Sequence, residues 1–582
     1  MATSRAATYN GTPLVTGNAE GAILASDIEL SFFGGVDPVS GEIVDRHHPL
    51  SGQVLTDRIL VIPGGRGSCS GSAVMLELLL NGRAPKALIF KRNEDILSLG
   101  VIVGEEMFGR SIPIVALGEE DFEAVKISDY AVINDGRVQI GKGTVLGTAS
   151  NRHYRQKPEI ELSDADKAIL AGAGGKAMEV AMRIVTRMAQ VQGAPHLIDV
   201  TQAHVDACIY TGPAALGFAE KMMAWGARVS IPTTLNAISV DRKRWRAQGI
   251  QESVGAPADR LADLYTQMGA QPTFTCAPYL LGQPPRYGAN VAWSESNAVV
   301  FANSVLGART MKYPDFLDLA VAMTGRAPLA GPYVEEHRRP EIIIEVPSIT
   351  EADDSFFPVL GYTIGAIAGS RIPLLTGLAR NSMNLDDLKS FGAAFATVSS
   401  APMFHIVGVT PEAATSLKSL DNSSKPIERV RLNLSNLETE WRELNSATVA
   451  EVDLISLGNP HFSLTEIWRL ASLCSEKTKS ESVKVVVTTS RQIYDSARQE
   501  GLIAQLERFG VQFVTDTCWC MITEPIIPPQ ASTIMTNSGK YAHYGPGLTG
   551  RSFHFGSLVA CVDAACSGKA TLRTPNWLKT LP

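Results

Sequence analysis

Three cysteines far apart in the chain stand beside turn and strand-end residues rather than in plain apolar faces: Cys276 in Thr-Phe-Thr-Cys-Ala-Pro-Tyr, Cys518 in Thr-Asp-Thr-Cys-Trp and Cys561 in Leu-Val-Ala-Cys-Val-Asp. Three thiolates gathered by folding can hold an iron–sulfur cluster and leave one iron open. An open Lewis-acidic iron can take a hydroxyl that is otherwise a poor leaving group. Spacing alone does not establish this chemistry. Cysteine is among the most buried residue types, so any one of the three is more often core packing than ligand. There is no Cys-x-x-Cys pair, and Cys518-Trp-Cys520 is too tight for a zinc knuckle.

A second constellation is Pro63-Gly-Gly-Arg-Gly-Ser-Cys-Ser-Gly-Ser72, between the strand-like run Arg58 to Ile62 and a helical pattern that starts at Ala73. Backbone N–H groups of a glycine-rich turn at a helix N-terminus form an anion cradle, and Arg66, Ser68, Ser70 and Ser72 add donors. A carboxylate or phosphate would sit there. The Gly-Lys-Ser/Thr ending of a nucleotide P-loop is missing, and the glycine spacing is not that of a dinucleotide fingerprint. As a purely structural turn the segment would use Ser72 as N-cap, but an arginine flanked by glycines is wasteful for a turn alone.

Polar groups are dense in three further places. His204-Val-Asp-Ala-Cys-Ile-Tyr is followed by Pro232-Thr-Thr-Leu-Asn236 and Ser239-Val-Asp241. Trp293-Ser-Glu-Ser-Asn297 and Asn303-Ser-Val-Leu-Gly-Ala-Arg309 come soon after Cys276. Each residue singly reads as a satisfied core polar group or a cap. Together, among small residues, they suit a lined pocket and acid–base work better than a solvated face.

These groups must be held by more than one core. At 582 residues the chain exceeds what a single hydrophobic core supports, and three or four domains are expected. With 45% hydrophobic and 19% charged residues the composition is that of a folded globular protein. The net charge is −7, and the longest basic run is Asp-Arg-Lys-Arg-Trp-Arg at 241 to 246, so no nucleic-acid footprint is visible and a small metabolite is the expected partner. The N-terminal segment lacks the apolar core of a signal peptide. The longest apolar stretch, Phe357 to Gly369, is too short to span a membrane, so a cytoplasmic protein with no membrane partner is expected. Eight cysteines without paired spacing point to reduced thiols or metal ligation rather than disulfides.

Residues 1 to about 150 read as a compact α/β or β-rich domain with strands at Ala22-Ile-Leu, Arg58 to Pro63, Ala87 to Phe90, Ile114 to Leu117 and Tyr130 to Ile133. The polar stretch that follows marks a linker over 151–165. Ser163-Asp-Ala-Asp is an N-cap signal for one long helix toward Gln190. Over 166–582, strands alternate with helices, which predicts two or three α/β subdomains. Strands are expected at His196 to Val200, Ala227 to Ile231, Leu454 to Leu457, Val483 to Thr489 and Val511 to Thr515. A helix is expected around Ala214 to Trp225, and a loop near 415–427. Sites in open α/β sheets form at strand carboxyl ends, and Cys518 directly follows one.

With these residues in hand, the sequence resembles the aconitase X family over essentially its whole length. In the first part the resemblance rests on Gly34-Gly-Val-Asp-Pro, His48-Pro-Leu-Ser-Gly, Gly65-Arg-Gly-Ser and Asn81-Gly-Arg-Ala-Pro-Lys. In the large part it rests on Thr275-Cys-Ala-Pro-Tyr, Trp293-Ser-Glu-Ser-Asn, Asn303-Ser-Val-Leu-Gly-Ala-Arg-Thr, Thr324-Gly-Arg-Ala-Pro, Gly408-Val-Thr-Pro-Glu, Asp516-Thr-Cys and Met535-Thr-Asn-Ser-Gly-Lys. The resemblance implies a small swivelling domain followed by a large aconitase-like region, with a hydroxy-acid substrate lodged between them and dehydrated.

Fused single-chain members resemble cis-3-hydroxy-L-proline dehydratases, whereas two-subunit archaeal relatives dehydrate mevalonate 5-phosphate. The fused arrangement favours the former. By motif position Ser68 matches the family's proton acceptor, supported by Arg66. Cys276, Cys518 and Cys561 match the cluster ligands, with Cys520 and Cys566 as alternatives to Cys561. The cluster is expected to be of 2Fe-2S type, or 4Fe-4S with an open iron. Substrate contacts are expected from Gly67, Ser70, Ser72, His48, Asn297, Arg309 and Lys540. Cys69-Ser70 departs from what two-subunit members carry after Gly-Ser. Other readings are a cluster-sensing RNA-binding regulator, disfavoured by the charge, and a structural zinc protein. A monomer or small homo-oligomer is expected.

Overall fold

Ile59-Leu-Val-Ile and Ala87-Leu-Ile-Phe carry no polar face, the pattern of strands covered by structure on both sides. In the computed structural model, which describes residues 7–46, 48–141, 159–349, 351–378, 383–421 and 426–579, they become central strands of a mixed sheet. The chain divides into two compact units. One comprises Met1–Thr233, Gln267–Gly269 and Tyr313–Ala330; the other comprises Thr234–Thr266, Ala270–Lys312 and Gly331–Pro582.

The first unit contains strands β1 (Ala7–Asn10), β2 (Thr12–Val15), β3 (Asn18–Ala25), β4 (Ile59–Ile62), β5 (Ala87–Phe90), β6 (Ile114–Ala116), β7 (Tyr130–Asn134) and β8 (Arg137–Ile140). They form one sheet in the order β1-β8-β7-β3-β4-β5-β6-β2. The run β3-β4-β5-β6 is parallel, and its flanks are antiparallel. Helices α1 (Gly71–Leu80) and α2 (Ile96–Phe108) form the crossovers out of β4 and β5. All four residues of β4 and of β5 are buried.

Beyond residue 158 the predicted long helix is two helices, Asp164–Leu170 and α3 (Lys176–Gln192). Ser163 caps the first as expected, in a reciprocal box with Asp166. The break falls at Gly172, Gly174 and Gly175, all at positive φ, where a helix cannot continue. The helix predicted at Ala214 to Trp225 is present as Pro213–Ala224, and a strand at Leu197–Asp199. The strand expected at 227–231 does not form. That segment is irregular, and Val229 N–H donates to the Met268 carbonyl.

In the second unit α4 (Ser296–Phe301) follows Glu295. A four-stranded parallel sheet comes next, made of β9 (Ile342–Glu345), β10 (Pro373–Thr376), β11 (His405–Ile406) and β12 (Glu428–Arg431) in the order β11-β10-β9-β12. The long apolar stretch near 357 is α5 (Phe356–Ala368), packed along α6 (Leu385–Val398) in a buried core. The loop expected near 415–427 is in part a helix, Ala413–Asp421; residues 422–425 lie outside the described ones.

The last sheet is parallel throughout. It comprises β13 (Leu454–Leu457), β14 (Lys484–Thr489), β15 (Val511–Thr515), β16 (Thr533–Thr536) and β17 (Ser552–Phe555), in the order β15-β14-β13-β16-β17. Helices α7 (Leu464–Cys474), α8 (Gly539–Thr549) and α9 (Leu558–Ser567) belong to it. From β13 the chain winds first one way and then the other, so the topological switch lies between β13 and β16, where parallel sheets open a crevice at their carboxyl edge. Among the described residues no helix is long and apolar enough to cross a membrane.

The α5–α6 packing leaves no spare room: a Cβ on Gly361 would lie 2.2 Å from the Phe391 carbonyl oxygen. Gly361→Ala is expected to cost about 1–3 kcal/mol by forcing the helices apart and to lower the thermal unfolding midpoint. An unchanged midpoint would show that the two helices separate freely.

Candidate active site

In the first unit the chain must turn from the end of β4 at Ile62 to the start of α1 at Gly71. Gly67 has φ +81°, which only glycine adopts readily. Ser70 occupies the N-cap position without a side-chain capping bond. Instead, Ser68 Oγ accepts the Ser70 N–H at 3.3 Å and donates to Ser70 Oγ at 3.4 Å. Ser68 is half-buried and Ser70 fully buried. Arg66 Nη2 donates to Asp45 Oδ2 at 3.2 Å, while its Nε is buried without a partner.

The turn rests on Glu94, whose carboxylate accepts the N–H groups of Ile96, Leu97 and Ser98 at the start of α2. A Cβ at Gly65 would lie 2.7 Å from Glu94 Oε1, so any larger residue there would displace this carboxylate. Two expected substrate contacts are spent within the fold. Ser72 lies inside the first turn of α1, and its Oγ donates to the carbonyls of Cys69 and Asp315. His48 Nδ1 accepts the Leu50 N–H, and its Nε2 donates to the Ile28 carbonyl. Both are buried residues that shape the unit.

In the second unit the carboxyl ends of β13, β15 and β16 converge on thiols. Cys276 and Cys518 are buried together against Ala237, and Cys520 packs on them. Cys518 hydrogen-bonds both Cys276 and Cys520. The bond to Cys276, with burial added, pushes its thiol up, and the bond to Cys518 followed by burial does the same to Cys520. Cys561 is not brought there. It lies on the inner face of α9 in a core with Ile455, Leu470, Val485 and Leu558, because Ser557 caps a helix and turns that residue toward the sheet. Cys566 packs against the same separate core. The third thiol beside Cys276 and Cys518 is therefore Cys520.

The segment after β13 binds this set. The His461 N–H donates to Cys276 Sγ at 3.3 Å, and Asn459 Nδ2 donates to Cys520 Sγ at 3.4 Å. The His461 ring bridges the residues that precede two of the cysteines: Nε2 donates to the Thr517 carbonyl at 2.8 Å and Nδ1 pairs with Thr275 Oγ1 at 3.2 Å. Burial lowers this imidazole to about 4, so it stays neutral, with one nitrogen donating and the other accepting. Lys389, itself paired with Glu466, donates to the His461 carbonyl at 3.2 Å. Ser538, after β16, donates to the Asn459 carbonyl and caps α8.

Lys540, two residues on, is partly buried and donates to Glu295 Oε1 at 2.8 Å. Burial pulls its ammonium down, but Glu295 and then the three thiols outweigh it, and the lysine stays charged. Asn297 is engaged through both ends of its amide. Its Nδ2 donates to Glu295 Oε1 and the Cys276 carbonyl, and its Oδ1 accepts from Tyr279. Arg309 is likewise engaged, by the Tyr333 carbonyl and Glu335.

Among the described residues no group of His, Cys, Asp or Glu side chains is set to hold a single metal ion. Cysteine thiolates are the usual ligands of iron–sulfur clusters. The amide and backbone donors aimed at sulfur, and the buried, unpartnered hydroxyls of Thr517 and Tyr541, suit sulfur acceptors. Asn459 and His461 were not singled out in the sequence, and Glu295 only as the carboxylate of Trp293-Ser-Glu-Ser-Asn297. The available signal was Gly458-Asn-Pro-His directly after a predicted strand.

Models of four aconitase X domains match the chain: the swivel domain over 8–141, the first over 159–336, the second over 340–442 and the third over 452–567. The chain is 56% identical to a cis-3-hydroxy-L-proline dehydratase of Hypocrea jecorina, covering 98% of this chain and 97% of that protein. It is 51% identical to the enzyme of the same name from Pseudomonas aeruginosa, over 97% of each. A phosphomevalonate dehydratase large subunit of Methanothermobacter thermautotrophicus is 34% identical over 67% of this chain and 95% of its own. A crystal structure of Thermococcus kodakaraensis aconitase X in its holo-form superposes with a TM-score of 0.63 at 29% identity, covering 70% of this chain and all of that one.

Burial, with Asp95 beside it, holds the Glu94 carboxyl up at about 8 against the pull of its three N–H donors. A carboxyl raised on folding contributes fully below its ordinary value of 4.5, and that contribution is lost as pH rises through about 8. Glu94→Gln is expected to flatten the fall of unfolding stability between about pH 5 and 8, by at most about 1.4 kcal/mol per pH unit. Equal slopes in variant and parent would place the pH dependence elsewhere.

Proposed function

Since the chain belongs to the aconitase X family, we propose that it is a hydro-lyase that dehydrates cis-3-hydroxy-L-proline. The observation that carries this is similarity over nearly the whole chain to two dehydratases of that substrate, at 56% and 51% identity. The phosphomevalonate enzyme's large subunit reaches 34% over two thirds of it. Eight free cysteines fit a reducing, cytoplasmic setting.

Loss of water from C2 and C3 requires a base for the α proton and an exit for the hydroxyl. Ser68, ionised to its alkoxide, takes the proton and becomes the hydroxyl, the C2–H electron pair becomes the C2–C3 double bond, and the C3–O bond breaks with loss of hydroxide. The resulting enamine gains a proton at C3 and loses one from nitrogen, giving Δ1-pyrroline-2-carboxylate. A serine oxygen accepts an α proton only where its anion is stabilised. The Ser70 N–H already points to Ser68 Oγ, and the unpartnered Nε of Arg66 is a further cationic donor in the same turn. Lys540 binds the substrate carboxylate, with Gly67 and Ser70 lining the swivel-domain turn.

Cys276, Cys518 and Cys520 would hold an iron–sulfur cluster, with Asn459 and His461 donating to its sulfur ligands. When bound, such a cluster supplies a Lewis-acidic iron that eases departure of the hydroxyl.

The test is anaerobic incubation of iron-reconstituted protein with cis-3-hydroxy-L-proline, following the cyclic imine with an aldehyde reagent, beside mevalonate 5-phosphate. The parent is expected to form imine. Ser68→Ala is expected to keep the visible absorbance and lose turnover by about 100-fold or more. Consumption of the phosphate substrate alone would overturn the substrate assignment. Full activity in Ser68→Ala would overturn the assignment of the base.

A further inference from the structure

Burying an ion pair is costly in lost hydration, and an apolar pair of similar volume is often at least as stable. The Lys540–Glu295 pair, with side chains 12% and 10% exposed, is therefore not explained by stability alone. Its surroundings suggest a different role. Glu295 is braced on both oxygens: Asn297 Nδ2 donates to Oε1 at 2.6 Å and Asn236 Nδ2 to Oε2 at 3.2 Å. Asn297 is itself fixed by the Tyr279 hydroxyl at 2.8 Å, and its second N–H reaches the Cys276 carbonyl at 3.0 Å. The same short network thus touches the backbone of a thiol-bearing residue and the carboxylate that orients Lys540.

An ammonium on a four-carbon stem is a mobile charge unless something holds it. Lys540 has three N–H donors, and its hydrogen bond is to Glu295. The remaining donors lie in a buried setting beside three thiols, where a bound carboxylate would complete them. Burial pushes the Glu295 carboxyl up, but Lys540 and the Asn297 hydrogen bonds together outweigh it and hold it ionised.

We infer that Glu295 is a positioning residue for substrate binding: braced by Asn236 and Asn297, it aims the free N–H groups of Lys540 at the substrate carboxylate and keeps that ammonium in register with Cys276. The inference rests on the dehydratase reading. Glu295 neither accepts the α proton nor ligates iron. Removing its charge should therefore weaken capture of the carboxylate while leaving the thiol site and the proton transfer in place.

The experiment compares parent, Glu295→Gln and Asn236→Ala, each reconstituted anaerobically, by steady-state kinetics on cis-3-hydroxy-L-proline and by visible absorbance and circular dichroism. A KM raised about tenfold in Glu295→Gln, with kcat lowered less than about threefold, is the signature of lost substrate binding. Asn236→Ala, which removes one brace and keeps the charge, should raise KM by a smaller factor and serves if the glutamine variant does not fold. Unchanged visible spectra are expected in both. An unchanged KM, or a fall confined to kcat, would overturn the positioning role, and so would loss of the visible bands, which would make Glu295 a support of the thiol site. A parent that carries the bands yet does not turn over the substrate would sink the dehydratase reading instead, and the two failures are thereby distinguishable.

Discussion

The neutral imidazole of His461 ties together two loops that the sequence places some 240 residues apart, and the thiol site depends on it. One nitrogen holds the carbonyl of Thr517, next to Cys518, and the other holds the hydroxyl of Thr275, next to Cys276. The backbone N–H of His461 reaches the Cys276 sulfur. Burial keeps the ring uncharged, so with Nε2 donating to the Thr517 carbonyl, Nδ1 accepts from the Thr275 hydroxyl. The segment that carries it leaves β13 at the switch of a doubly wound parallel sheet. There strand carboxyl ends diverge, and polar groups can face inward without breaking a ladder. Asn459, His461 and Ser538 thus bind the ends of β13 and β16 to the cysteine turn after β15.

Much of this was legible in the chain. Continuous apolar runs such as Leu454 to Leu457 and Val485 to Val487 announced buried parallel strands, and the position of Cys518 just beyond Val511 to Thr515 announced a site at a strand end. The glycine-rich turn after β4 was equally plain. What failed was local competition that a periodicity does not settle. The apolar run before Gln190 reads as one helix, yet three glycines near 172–175 divide it. Ser72 looks like the cap of α1, but the helix begins before it, and its hydroxyl is absorbed by the carbonyls of Cys69 and Asp315.

The third thiol shows the limit most clearly. Leu-Val-Ala-Cys-Val-Asp around Cys561 has the same apolar character as a strand end, but Ser557 starts a helix there, and helical geometry directs Cys561 into the core beneath the sheet. Cys520 looks unsuited because it stands only two residues from Cys518. In a turn, however, such a pair can face the same side, and here both pack with Cys276. The partners of Asn297 and His48 were invisible for a related reason: whether a polar side chain faces a ligand or a carbonyl is decided by segments distant in sequence.

The identity of the three gathered thiols is the claim on which the rest of the account stands, and iron and acid-labile sulfide content after anaerobic reconstitution tests it most directly. Cys520→Ser is predicted to lose most of both, together with the visible absorbance, while Cys561→Ser retains them at the level of the parent. Loss in Cys561→Ser with retention in Cys520→Ser would contradict the account.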